Sequence, residues 1–257
     1  MKLTSFVNFV LESGVPIKHW QKNLSSFKGI HKGKKCILIG NGPSVTYGDL
    51  EKIDGLDCIK FVFNRFHKVY TSLKFTPDYT LSIDPLFIDD FYDELINEHK
   101  GELFVGHHKT LANDSKYNWF KIKTNEEFEF SDNPIKFVEP GGSVVVAALQ
   151  IAYFMGCRDF FVYGIDHSFS KNENNNRDTS STLAFGEGNH FIKNYRSDKA
   201  WCPPNTELIE QAFLKSKLYI EANGGHLINI SRRTQLNVLP KLGFDEFFNR
   251  LNHKHDN

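Results

Sequence analysis

The chain has 257 residues, enough to bury a full hydrophobic core in one α/β domain, and its 31 Lys and Arg equal its 31 Asp and Glu. A net charge of zero gives no global field toward a polyanion, so nucleic acid is excluded as a first partner. No run approaches the roughly 18 apolar residues of a membrane span, no compact charged-then-apolar leader opens the chain, and Cys36, Cys58, Cys157 and Cys202 form no C-x-x-C pair, which together predict a soluble protein in a reducing cytoplasm.

In chain order, residues 3–30 carry Phe6, Phe9, Val10, Ile17, Trp20 and Phe27 on a thinly charged background. Pro16 interrupts the stretch and its basic residues are scattered, so residues 1–33 read as a helical extension packed on the protein's own core. The alternative is a helix lying peripherally on the inner face of the cell membrane. Cys36–Ile39, Cys58–Phe63, Tyr79–Ile83, Leu103–Val105, Ile135–Val138 and Phe160–Val162 are short apolar runs, as buried parallel strands require, and Leu227–Ile230 reads as the last strand. Between them, Leu86–Glu98, Ser143–Met155 and Glu207–Glu221 have helical spacing. The second is apolar nearly all round, started by Gly141-Gly142-Ser143 and stopped by Gly156. Alternating strands and helices predict a Rossmann-like, doubly wound, mainly parallel α/β sheet over 34–245, with 246–257 as a C-terminal tail. SFSKNENNNRDTSS (168–181) is polar and without periodicity, and 168–188 reads either as a solvent-facing insertion or as a lid over a site at the sheet's carboxyl edge.

The turn after the first strand, Gly40-Asn41-Gly42-Pro43-Ser44, is the first candidate site. Glycines at a strand's carboxyl end let a ligand approach the main chain, and the re-entry into a helix near Tyr47-Gly48 supplies backbone N–H groups, so the stretch reads as a phosphate or nucleotide cradle. It is neither a Walker loop nor a full G-x-G-x-x-G fingerprint, and a structural turn without ligand is the competing reading. Further strands end alike: Asn64-Arg65, Asp84-Pro85 and Asp166-His167-Ser168 follow apolar runs. Each is readable as an Asx turn; Asn41, Asn64, Asp84 and Asp166 on a single edge predict a site.

IGNGPSV, FVFNRF, the F-x-P-D-Y-x-x-x-x-D segment from Phe75 to Asp84, GGSVVVAALQIAYFMGCRDFFVYGIDHSF and the segment Asn189 to Tyr195 resemble the bacterial sialyltransferases of glycosyltransferase family 42. They are still more similar to the broader DUF115 group, which includes motility-associated nonulosonic-acid transferases and archaeal 6-hydroxymethylpterin diphosphokinase-like proteins. The resemblance runs through about residues 34 to 240 and implies a single GT-A-like domain. It also implies inverting, metal-independent transfer from a CMP-activated nonulosonic acid, without a cofactor, to a surface glycan or protein of the lipopolysaccharide, capsule or flagellin kind, and members that often assemble as homo-oligomers. By matching motifs, the resemblance implies that Asn41, Gly42 and Ser44 meet the CMP phosphate and ribose, Asn64 the donor sugar and phosphate, and Ser143 the cytidine, with Pro43 and Gly142 as further substrate-binding candidates. Two departures stand out: Asp84 where those enzymes have Asn, and Asn194 where they carry the catalytic His.

Inverting transfer needs a base for the acceptor hydroxyl and groups that stabilise the departing phosphate. His190 is the candidate base, with a structural histidine as the competing reading and Asp84 or Asp166 in reserve. His167 and Ser168 follow the same strand end, and Tyr195, Lys199 and Arg232 are candidate contacts to the leaving phosphate, or solvated surface residues. No Asp-x-Asp is present and the adjacent His107-His108 point apart, so no metal is expected. Two other functions stay open: an ATP- and Mg²⁺-dependent pterin diphosphokinase, in which Asp84 and Asp166 would hold the ion, and a non-catalytic nucleotide-binding accessory protein.

Overall fold

The computed structural model describes residues 18–106, 117–169, 183–184 and 186–252. Seven strands form one sheet: β1 (Cys36–Ile39), β2 (Ile59–Phe63), β3 (Tyr79–Ser82), β4 (Glu102–Gly106), β5 (Asn118–Phe120), β6 (Asp159–Tyr163) and β7 (His226–Asn229). Their order is β5-β4-β3-β2-β1-β6-β7 and every pairing is parallel. The helices are α1 (His19–Ser26), α2 (Tyr47–Asp54), α3 (Pro85–Glu98), α4 (Val144–Phe154), α5 (Thr206–Ala222) and α6 (Phe244–Asn252), with a 3-10 helix over Asn64–Thr71. This is the expected doubly wound α/β, Rossmann-like architecture.

Strand alternation divides the core into two layers. Cys36 and Leu38 of β1 face one side of the sheet, where they pack with Leu24 of α1, the apolar α4 and Phe213 of α5. Ile37 and Ile39 face the other, where Leu50 and Ile53 of α2, Phe66, and Phe244 and Phe247 of α6 cover them. Each central strand is therefore buried on both faces, which is why β1 is apolar throughout and β2 is apolar except for the buried Lys60. Burial pushes the Cys58 thiol up to about 12 and that of Cys36 well above its ordinary value, so these cysteines pack as small hydrophobes.

The chain departs from expectation in three places. Ile135–Val138 is no strand: Val138 makes one isolated bridge to Ile122. The backbone nearby is satisfied by Gln150 of α4, whose Oε1 accepts from Ser131 N and Glu139 N (both 3.1 Å) and whose Nε2 donates to Glu139 O (2.6 Å). The edge strand is instead β5, of three residues. The tail expected from residue 246 begins inside α6, where Phe247 is buried against Phe161. Of the N-terminal extension, α1 packs on the core, with Trp20 edge-on to Trp119. Among the described residues no helix is long and apolar enough to cross a membrane. Residues 1–17, His107-His108 and most of the expected lid lie outside the described residues.

Candidate functional site

The chain winds outward from β1 through β5, then crosses back to place β6 on β1's other side. Neighbouring crossovers therefore leave β1 and β6 in opposite directions, and a crevice opens between their carboxyl ends, the position at which open α/β sheets bind ligands. A cleft of about 190 Å³ lies there.

Its first wall is the Gly40–Ser44 turn. Gly40 N–H donates to Tyr163 O (2.7 Å) and Gly42 N–H to Gly164 O (2.9 Å), so the β1–β6 ladder continues into the turn. A Cβ on Gly42 would sit 2.6 Å from Gly164 O. Glycine at this position thus admits the neighbouring turn's backbone, where the sequence suggested ligand approach. Ser44 N–H donates to Asp166 Oδ2 (2.7 Å) and its hydroxyl to Asp166 Oδ1. Asp166 is buried and clamps the two turns together, and the N–H groups of Gly42 and Ser44 are occupied by protein acceptors.

What the turn does present is Asn41. Its Nδ2 donates to Phe63 O and to Tyr195 Oη (both 3.1 Å), while its Oδ1 is buried with no partner among the described residues. Asn64, at the end of β2, stands in the left-handed region (φ 54°) and accepts from Ser82 Oγ at 2.9 Å. The other described non-glycine residues with positive φ, His167, Asn194, Ser197 and Asp198, lie in the β6 turn and in the loop that carries Tyr195. Of these residues Asn64 and His167 line the crevice, where their backbone geometry is imposed by the surroundings.

Tyr195 is fixed from behind. Arg65 Nη1 donates to Tyr195 O (2.7 Å) and Asn194 O (3.2 Å), and its guanidinium makes a bidentate pair with Glu94 (2.8 and 2.9 Å) while lying over the Phe91 ring. Glu187 accepts from Tyr195 N and Arg196 N at 3.0 Å. Burial pushes the Tyr195 phenol up to about 12, which keeps it a neutral hydrogen-bonding group. The His190 ring stacks on it at 3.8 Å between centroids. Burial, reinforced by the charge of Arg196, lowers the His190 pKa to about 4, so the ring is neutral and weakly basic at pH 7.

The opposite wall is the start of α4. Ser143 caps it, accepting from Val145 N (3.2 Å), and Val144 and Val145 turn the helix N-terminus toward the cleft over an apolar floor that includes Phe63 and Phe213. Beyond β6, His167 and Ser168 complete the lining, with His167 Nε2 3.1 Å from Glu210 Oε1. His167 also borders a second cleft of about 580 Å³.

The 6-hydroxymethylpterin diphosphokinase MptE-like family model matches residues 15–172, more than half of the chain. The chain belongs to this MptE-like family. The matched segment of the MptE-like chain includes both turns of the crevice. Among solved structures, the MAf glycosyltransferase of Magnetospirillum magneticum AMB-1 aligns over 90% of the MptE-like chain at TM-score 0.51 and 13% identity, which shows a shared fold. The alignment covers 40% of that protein, so the chain spans well under half of its length. The sialyltransferase CstII of Campylobacter jejuni, solved with cytidine-5'-monophosphate, aligns over 83% of this chain and 86% of its own at TM-score 0.46 and 13% identity. No curated protein matches the chain.

In this MptE-like protein the crevice brings together Asn41, Gly42, Pro43, Asn64, Ser143, Asp166, His167, Ser168, His190 and Tyr195. Ser44, Asp84, Gly142, Lys199 and Arg232 are not in its lining. Ser44 is turned to Asp166; Asp84 caps α3 by accepting from Leu86 N (3.0 Å), the Asx reading of its sequence. Gly142 packs against Ile209, and Lys199 pairs loosely with Asp90 at 3.8 Å. Arg232 is committed to Asp49 (2.6 and 2.7 Å) and Asp245, tying α2 to α6. Sequence reasoning missed Arg65 and Glu210, whose partners are distant in the chain, and Glu187, which holds Tyr195 N and Arg196 N a short way along it; none carries a local signal beyond Arg65 following Asn64.

Proposed function

We propose that the crevice binds a nucleotide-sugar donor, a CMP-linked nonulosonic acid, and that the chain is an inverting, metal-independent glycosyltransferase acting on a surface glycan or protein. The observation that carries this reading is the polarity of the switch-point cleft. It offers a buried unpartnered amide oxygen on Asn41, amide and hydroxyl groups on Asn64, Ser143 and Tyr195, and no Lys or Arg among its described lining residues. Such a set suits ribose and base hydroxyl or amino groups and one phosphodiester charge facing the α4 N-terminus; a triphosphate would ask for far more neutralisation. The fold shared with a glycosyltransferase is compatible with this reading.

In the proposed reaction the anomeric C–O bond to the CMP phosphate breaks, its electron pair leaving on the phosphate, while an acceptor oxygen bonds to the anomeric carbon and gives up its proton. The dipole of α4 and the Asn64 amide favour the departing charge. His190, weakly basic and stacked on Tyr195, serves to pack the donor against the Tyr195 loop.

The family match favours a second reading, a 6-hydroxymethylpterin diphosphokinase-like enzyme. The Mg²⁺ that such a reaction uses finds few ligands here: both Asp166 oxygens accept from Ser44 and Asp84 caps α3 outside the cleft. These residues do not fit the ion.

Thermal unfolding against CMP, CDP, UDP, GDP, ADP and ATP, each with Mg²⁺ and with EDTA, tests the choice. CMP at a hundred times its dissociation constant is expected to stabilise the protein by about 2.7 kcal/mol irrespective of EDTA. Stabilisation by ATP with Mg²⁺ alone would replace the transferase reading with the diphosphokinase one.

A further inference from the structure

Building on the donor reading above, we propose that the second cleft is the acceptor subsite, that it takes a saccharide, and that His167 on the wall shared by the two clefts receives the proton of the attacking hydroxyl. His167 borders both clefts, as does Phe169. Its backbone is held in the left-handed region at φ 52°, and the ring is buried with Nε2 on Glu210. A carboxylate only accepts, so Nε2 is the donor to Glu210 and Nδ1 is the ring nitrogen left for the acceptor hydroxyl. An imidazole oriented by a carboxylate is the arrangement a general base requires, and Glu210 is the positioning residue that stabilises the imidazolium once formed.

The second cleft has the surface chemistry of a sugar site. Trp201, Pro203 and Pro204 offer flat apolar faces, and Gln235 and Asn237 offer amides for hydroxyl groups. The Trp201 indole N–H is buried with no acceptor among the described residues, a donor for which a bound hydroxyl would supply the partner. At about 580 Å³ the cleft lies within the roughly 300–1,000 Å³ typical of small-molecule sites. Gln235 N–H donates to Asp166 O (2.8 Å), which ties this wall to the β6 turn that closes the donor cleft. The acceptor O–H proton passes to Nδ1 as the oxygen bonds to the donor's anomeric carbon, and the electron pair of the broken C–O bond leaves on the CMP phosphate.

Two measurements on the full chain decide it. Tryptophan fluorescence titrated with galactose- and N-acetylglucosamine-terminated oligosaccharides is expected to show a saturable change that Trp201→Phe abolishes; no saturable change with any of them, or one that survives in Trp201→Phe, would overturn the subsite. CMP release from CMP-N-acetylneuraminate in the presence of the binding saccharide is expected to fall about 100-fold in kcat in His167→Asn, with the native far-UV circular dichroism retained. Glu210→Gln is expected to shift the acid limb of the kcat profile. Unchanged kcat in His167→Asn overturns the base assignment. Wild-type protein that binds saccharide but releases no CMP would sink the donor reading and the base role together, while leaving the saccharide cleft in place.

Discussion

The turns after β6 and after β3 begin alike, with Ile165-Asp166 and Ile83-Asp84 leaving apolar strands at the same edge of the sheet. Their aspartates do different work because their neighbours differ. Next to β6 the chain of β1 departs in the other winding direction, so Asp166 meets the Ser44 turn across an open crevice. Next to β3 both neighbours wind the same way, Pro85 starts a helix at once, and Asp84 satisfies that helix's first turn. A strand-end carboxylate becomes part of a site only where the topology parts the strands around it.

The comparison can be broken by substitution. Asp166→Ala leaves the buried Ser44 N–H and hydroxyl without acceptors and is expected to cost about 3 kcal/mol in urea unfolding and to abolish the stabilisation by CMP. Asp84→Ala removes a helix cap and is expected to cost about 1 kcal/mol while leaving CMP affinity unchanged. Equal loss of nucleotide binding in the two variants would erase the distinction between the turns. A pH-dependent effect belongs to His190. Folded, it takes a proton only near pH 4; in the unfolded chain it does so near its ordinary 6.5, so the unfolded state binds more protons in between. Its contribution to stability is thus present above about pH 6.5 and lost as the pH falls toward 4. His190→Gln is expected to flatten the melting temperature over that window, and an unchanged slope would assign the acid sensitivity to other groups.

The strands at the middle of the sheet were legible because burial on both faces forces continuous apolar runs, and α4 because few elements other than a buried helix tolerate so apolar a stretch. β5 was not: Asn118–Phe120 is only three residues long, and the better-looking run at Ile135–Val138 is held through Ile135 O by the side chain of Gln21, which no local pattern reveals. At the site, Asn41, Asn64 and Asp166 could be gathered from strand ends, because parallel strands deliver their ends to one edge, whereas Asp84, read the same way, is taken up in capping α3. Arg232 is held by Asp49 of α2 and Asp245 of α6, partners that no sequence pattern brings together. Arg65 and Glu210 stayed hidden because their roles rest on partners that only the folded chain supplies.

The Ser44–Asp166 clamp joins residues 122 apart in the chain. Closing so large a loop is slow compared with forming the local β1–α2–β2 contacts, so the crevice assembles late on the way to the native state. A nucleotide that recognises the closed crevice would have nothing to bind in an intermediate lacking β6, and would act on the unfolding rate while leaving the early folding steps untouched. Refolding followed simultaneously by backbone signal and by ligand capture should therefore show two clocks, the second set by the arrival of β6 beside β1.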